Sequence, residues 1–192
     1  MKSARSYTMR IRAASAEATR MRILDVVADL LKSRFRSEIR LEDVAAGAGV
    51  SVQTILNVHG SRAALLDLAL EGLLTGLRAQ RLRAAPGDLA GGMAALIGHY
   101  EEFGDLVIRN LAEQADPELI QTGRVGHRRW VQRQFAPQLA AMAAAGRRTL
   151  VDALVCACDV YTWKLLRRDM GRSVADAEAT MRTLVAALLL AD

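Results

Sequence analysis

Apolar side chains at Ile23, Leu24, Val27, Ala28 and Leu31 return once per helical turn, which predicts a helix with one buried stripe. Residues 41–48 and 52–59 read as two short helices, with Gly49, Val50 and Ser51 between them. Gly60 suits the left-handed position after a helix, and Ser61 can accept from the free amides of a new one running to about residue 80. Pro86 and Gly87 break the chain again. Leu89, Met93, Leu96, Ile97, Tyr100 and Phe103 then share a helical face as far as Gly104.

Asp116 followed by Pro117 suits an N-cap and first turn, and the stripe His127, Trp130, Val131, Gln134 and Phe135 carries that helix on until Pro137 kinks it. Residues 148–169 have apolar groups on more than one face (Leu150, Val151, Leu154, Val155, Cys158, Tyr161, Leu165, Leu166), as a helix buried on two sides would. Gly171 closes it. Ser173 with Asp176 approximates a capping box, and Met181, Leu184, Val185, Leu188 and Leu189 make a full stripe on the last helix. No run of alternating β-branched residues lies between turn signals, and no internal repeat is present. The pattern predicts an all-α protein of about nine helices.

Composition narrows the class. The 192 residues are 52% hydrophobic, with three prolines and two cysteines, which excludes a disordered chain, a collagen-like chain and a disulfide framework. Lys and Arg outnumber Asp and Glu by 26 to 21, and the first 40 residues alone hold ten basic against four acidic groups. Lys2, Arg5, Arg10 and Arg12 all precede the first acid, Glu17, so residues 1–16 read as a flexible basic arm, and an anionic partner is indicated. Arg10 and Arg12 interrupt the place where a signal peptide needs an apolar run, and the longest uncharged stretch, residues 44–61, is too polar for a membrane span. A cytoplasmic protein without a membrane segment is expected.

Catalysis finds little support. Cys156 and Cys158 on one helix would point about 200° apart, so neither a disulfide nor a shared metal site is expected. His59, His99 and His127 lie outside any ligand or nucleophile motif, and His99 with Glu102 has no third partner at metal-binding spacing. No enzyme activity, metal or cofactor is expected.

Residues 44–59 supply the parts of a helix-turn-helix: a small crossing residue (Ala45), a turn glycine (Gly49), a core plug (Val50), an N-cap (Ser51), and inward apolar groups (Val44, Ile55). Gln53, Thr54, Asn57 and Val58 are left facing outward. Gln and Asn pair with base edges in a major groove, and Ser51, Thr54 and the helix amides suit phosphate oxygens.

The block from Thr19 to Leu66 resembles the N-terminal domain of the tetracycline-repressor (TetR) family of bacterial regulators. The matching strings are TRMRILDVVADLL (19–31), EDVAAGAGVS (42–51), Thr54-Ile55 and GSRAALLDLAL (60–70). The resemblance implies a three-helix helix-turn-helix domain, taken here as residues 17–62, followed by a helical effector-binding and dimerisation domain, 63–192. It implies further a homodimer on a near-palindromic double-stranded DNA operator, a repressor by default, and release by a small molecule. Leu56, Val58 and His59 replace the family's usual Tyr, His and Phe, which removes two backbone contacts. Arg62, in place of a lysine, keeps a cation near the DNA backbone in the family's geometry, and Arg40, where a threonine usually begins the second helix, is expected with the basic arm to restore backbone affinity.

In the second domain, an apolar pocket between residues 88 and 166 is expected to take the effector, with Tyr100, Phe103, His127, Trp130, Gln134 and Trp163 as its walls and polar anchors. The helix at 148–169 and the last helix carry more apolar surface than one small domain needs, so Leu154, Leu165, Leu184 and Leu188 are expected between two copies. The competing function is a dimeric small-molecule-binding protein that no longer binds an operator. A membrane or RNA role for the basic arm is the weakest reading, because the arm lacks interleaved aromatics.

Overall fold

The structure is a computed structural model that describes residues 2–113, 117–140 and 142–190. It is helical throughout, with no strand among the described residues. The chain divides into two compact units, Met1–Thr75 and Gly76–Asp192.

In the first unit α1 is one helix, Lys2–Ser33. The stretch expected as a flexible arm is therefore the first half of α1. Alanine, arginine and methionine favour a helix, and no Gly or Pro occurs before Gly47 to interrupt it. A short 3-10 turn, Arg36–Glu38, leads to α2, Leu41–Ala48, and α3, Val52–His59. Gly49 closes α2 with φ 64, where a Cβ would be strained, and its amide returns to Ala45 and Ala46. Ile23, Val27 and Leu31 from α1, Ile39, Val44, Ala48 and Ile55 are all buried, as are Leu65, Leu66 and Leu70 on α4, Arg62–Arg81. The sequence reading starts the second domain at residue 63. The compact units divide further on, within α4 after Thr75, because the first turns of α4 bury their leucines in the helix-turn-helix core.

The second unit holds α5, Leu89–Glu113, and α6, Pro117–Gln134, then the short α7, Ala136–Ala140, and α8, Ala144–Ala157. After these come α9, Val160–Lys164, a π-helical turn, Leu165–Asp169, and α10, Val174–Leu190. α6 begins at Pro117 as expected; Asp116, its expected N-cap, lies outside the described residues. The helix stops at Gln134 and restarts as α7 around Pro137, which is the predicted kink. Helix α5 packs against α6, α9 and α10, and α8 against α6 and α10. Met93, Leu96, Ile97, Trp130, Phe135, Leu154, Trp163 and Met181 lie in the resulting core.

One predicted helix is three elements. Residues 148–169 are broken at Cys158 and Asp159, because Asp159 caps a new helix by accepting from the Tyr161 amide at 2.9 Å, while the Thr162 hydroxyl donates to the Cys156 carbonyl at 2.7 Å. An acid inside an apolar run acts here as a start signal. Of the expected capping box at α10 the serine half is present: the Asp176 amide donates to Ser173 Oγ at 3.1 Å, and the Ser173 hydroxyl donates to Asp176 Oδ2 at 2.7 Å. Among the described residues no helix is long and apolar enough to cross a membrane.

Candidate functional site

The α2–turn–α3 segment forms as the sequence requires. The Ser51 hydroxyl accepts from the Thr54 amide at 3.1 Å and lies 2.9 Å from the Thr54 hydroxyl, so both are engaged in capping α3. Ile55 is fully buried and fixes the roll of α3, leaving Gln53, Asn57 and Val58 exposed and Thr54 half-buried. Gln53 Nε2 donates to Asn57 Oδ1 at 2.9 Å, so the two amides form one bridged pair.

Cations around this segment divide into two kinds. Arg40 is exposed at the N-cap of α2 and caps nothing with its side chain. Arg62 is turned the other way: its Nε donates to the Ile39 carbonyl at 2.7 Å, and its Nη2 to the carbonyls of Arg36 and Ser37. The guanidinium expected on a DNA backbone is thus occupied in tying the 3-10 turn to α4. Its planar fork matches three carbonyls, which an ammonium cannot do as well. Arg22, which the sequence reading did not single out, does a similar task by donating from Nε to the Ala48 carbonyl at 2.8 Å and closing the end of α2. No local pattern marks Arg22, since its partner lies 26 residues away.

His59 ends α3 half-buried, with Nε2 enclosed and without a partner among the described residues. Desolvation lowers its pKa, and Arg20 adds to the effect. It is therefore a poor cation for phosphate.

The six residues expected around an effector are all buried in the second unit. Their polar atoms are largely satisfied by the chain itself. Tyr100 donates to the Cys158 carbonyl at 2.9 Å, Trp130 Nε1 to the Arg81 carbonyl at 2.9 Å, and Trp163 Nε1 to Glu101 at 2.7 Å. Gln134 Nε2 donates to the carbonyls of Ala85 and Asp88, at 2.9 and 2.8 Å. His127 Nδ1 lies 2.7 Å from Arg81 Nη2; a guanidinium only donates, so Nδ1 accepts and Nε2 carries the proton that reaches the Val155 carbonyl at 3.2 Å. Burial, with the Arg81 charge, pushes His127 down to about 4 and His99 down to about 3.

The Arg81 guanidinium sits 4.7 Å from the Trp130 ring centre and 5.8 Å from that of Tyr100. Arg81 Nε, His99 Nδ1 and Gln134 Oε1 are buried and have no hydrogen-bond partner among the described residues. A cleft of about 300 Å³ is lined instead by Arg128, Gln132, Arg147, Arg148 and Val151, none of which was expected at an effector site.

The four leucines expected between copies fare differently. Leu165 and Leu184 are exposed, at 51% and 43%, and Leu188 is half-buried. Leu154 is fully enclosed in the core of its own unit. Among the described residues no group of three His, Cys, Asp or Glu is gathered that could hold a metal.

A capped helix-turn-helix packed with α1 and the first turns of α4 is followed along the chain by a second helical unit. The solved structure of a TetR-family transcriptional regulator from Streptomyces coelicolor has this fold, with a TM-score of 0.66 over 90% of this chain and 80% of that one, at 18% identity. Over 122 residues the chain is 34% identical to the HTH-type transcriptional regulator AlkX of Mycobacterium tuberculosis. That match takes in 56% of this chain and 54% of the relative, so the chain spans about half the relative's length. No family model matches.

Proposed function

We propose that this chain is a transcriptional regulator of the TetR family, a repressor that binds a near-palindromic operator as a homodimer and is released by a small, mostly apolar effector. The observation that carries this reading is α3: a helix capped by Ser51, rolled by buried Ile55, and presenting a bridged Gln53–Asn57 pair beside exposed Val58. Such a face has the size and chemistry to enter a major groove. The likeness to two regulators, one in fold and one in sequence, supports the same reading.

Exposed Leu165 and Leu184 support a pairing of two copies through the last helices. Leu184→Arg with Leu188→Arg should then give a monomer in sedimentation. The enclosed, unpartnered atoms of Arg81, His99 and Gln134, set among aromatic rings, support an effector that carries one hydrogen-bonding group on an apolar body. Quenching of Trp130 and Trp163 by apolar compounds tests this, and a flat response across them would count against it.

The deciding experiment is selection of DNA from random fragments by the purified protein, followed by affinity at two salt concentrations. The expected result is an enriched inverted repeat whose affinity falls with log salt at about −0.9 per phosphate contact. Weak binding without sequence preference would instead support the dimeric ligand-binding protein, a reading favoured by the absence of any cation on α3 other than half-buried His59.

A further inference from the structure

The recognition surface also states what it reads. Helix α3, with the sequence VQTILNVH, holds no Lys, Arg, Asp or Glu. It therefore lacks the guanidinium or ammonium that pairs with the two acceptors of guanine, and the carboxylate that accepts from the cytosine amino group. Ser51 and Thr54 bond each other at the cap, at the start of the helix, and Nε2 of His59 is enclosed. What stays exposed is Gln53, Asn57 and Val58.

The bridge between the two amides fixes their orientation. With Gln53 Nε2 donating to Asn57 Oδ1 at 2.9 Å, the atoms left outside the bridge are the Gln53 carbonyl oxygen and the Asn57 amino group, one acceptor and one donor on an exposed face. Adenine offers the complementary pair in the major groove, an amino donor at N6 and an acceptor at N7. Guanine offers two acceptors there and would set its O6 against the Gln53 oxygen. Val58, 43% exposed, is the large apolar group of this face and follows Asn57 directly in the helix. Its counterpart in a major groove is the thymine C5 methyl, the apolar feature of a base edge.

We infer that each operator half-site is read at an A·T pair, with the Gln53–Asn57 pair on the adenine N6/N7 edge and Val58 against a thymine methyl of the same or the adjoining pair. This rests on the reading of the chain as an operator-binding regulator. It fixes the chemistry of the site as adenine and methyl recognition, without guanine readout by α3.

The test uses the full-length protein and its selected operator, with single base analogues in one half-site. Replacing the central adenine by 7-deazaadenine, which lacks the N7 acceptor, should weaken binding by about tenfold, the scale of one lost amide–base pairing. Replacing thymine by uracil, which lacks only the methyl, should weaken it a few-fold. Val58→Ser should abolish the difference between thymine and uracil while leaving the 7-deazaadenine effect in place, and Asn57→Ala should do the reverse. All three side chains are exposed, so the variants keep the fold. An enriched operator whose α3 contacts are G·C pairs, or which is indifferent to both analogues, overturns this inference and leaves the regulator reading standing. If no sequence is enriched at all, both fall together.

Discussion

Helix α3 and the core of the second unit use polar side chains in opposite ways. At the turn and on α3 the polar bonds are local: Ser51 to Thr54, Gln53 to Asn57, and the Gly49 amide to Ala45 and Ala46, while Arg62 and Arg22 brace the segment from 23 to 26 positions away. In the second unit the polar bonds join distant parts of the chain, with Tyr100 reaching Cys158 across 58 positions, Trp163 reaching Glu101 across 62, and Arg167 reaching Glu101 across 66. Local bonds leave the outward face of α3 free to meet a partner. Long-range bonds consume the polar groups of the core and make them part of the packing. A buried polar stripe is therefore evidence of a ligand only where an atom is left over, as at Arg81, His99 and Gln134.

The sharpest way to break this contrast is to remove a long-range anchor. Trp163 is fully buried, its ring lies 5.8 Å from that of Tyr100, and its indole shares Glu101 with Arg167. Trp163→Ala should destabilise the second unit by about 3–5 kcal/mol. Urea unfolding followed by the fluorescence of the remaining Trp130 reads that unit directly, because both tryptophans lie in it. A loss under about 1 kcal/mol would mean that the aromatic core is not what holds the unit together.

Acid should separate the units next. His127 and His99 are held neutral in the core, down to about 4 and about 3, against an ordinary value of 6.5 in the unfolded chain. The unfolded chain therefore takes up protons that the folded one refuses, so the stability from these residues is complete above pH 6.5 and is lost as pH falls toward 4. Between pH 7 and pH 5 the loss should be about 2 kcal/mol from His127 alone, and His127→Gln should remove that share of the fall while leaving the share of His99. An unchanged pH slope in the variant would mean that His127 is not held neutral in the folded core.

The same contrast explains what could be read from the sequence. The helix-turn-helix was legible to its single residues, because the turn at Gly49, the cap at Ser51 and the inward Ile55 are local requirements, and the all-helical class followed from apolar spacing. The inward turn of Arg62 was not legible. Its carbonyl partners lie 23 to 26 positions back, in a 3-10 turn that periodicity does not signal. The break at Asp159 escaped for the opposite reason, since apolar residues continue on both sides and hide the one capping side chain.

The finest test sets Arg62 against Arg40, two cations that the same resemblance put on the DNA backbone. Arg62→Lys keeps the charge but loses the fork that holds three carbonyls, so it should cost about 1–2 kcal/mol and raise hydrogen exchange across residues 36–39. The salt dependence of operator affinity should not change, because the guanidinium faces protein. Arg40→Ala should do the reverse, leaving stability within about 0.5 kcal/mol while reducing the salt slope by about 1, the mark of one lost phosphate contact. If Arg62→Lys lowered the salt slope and left exchange at 36–39 untouched, its guanidinium would swing outward on DNA, and the division between bound and free cations drawn from their hydrogen bonds would fail.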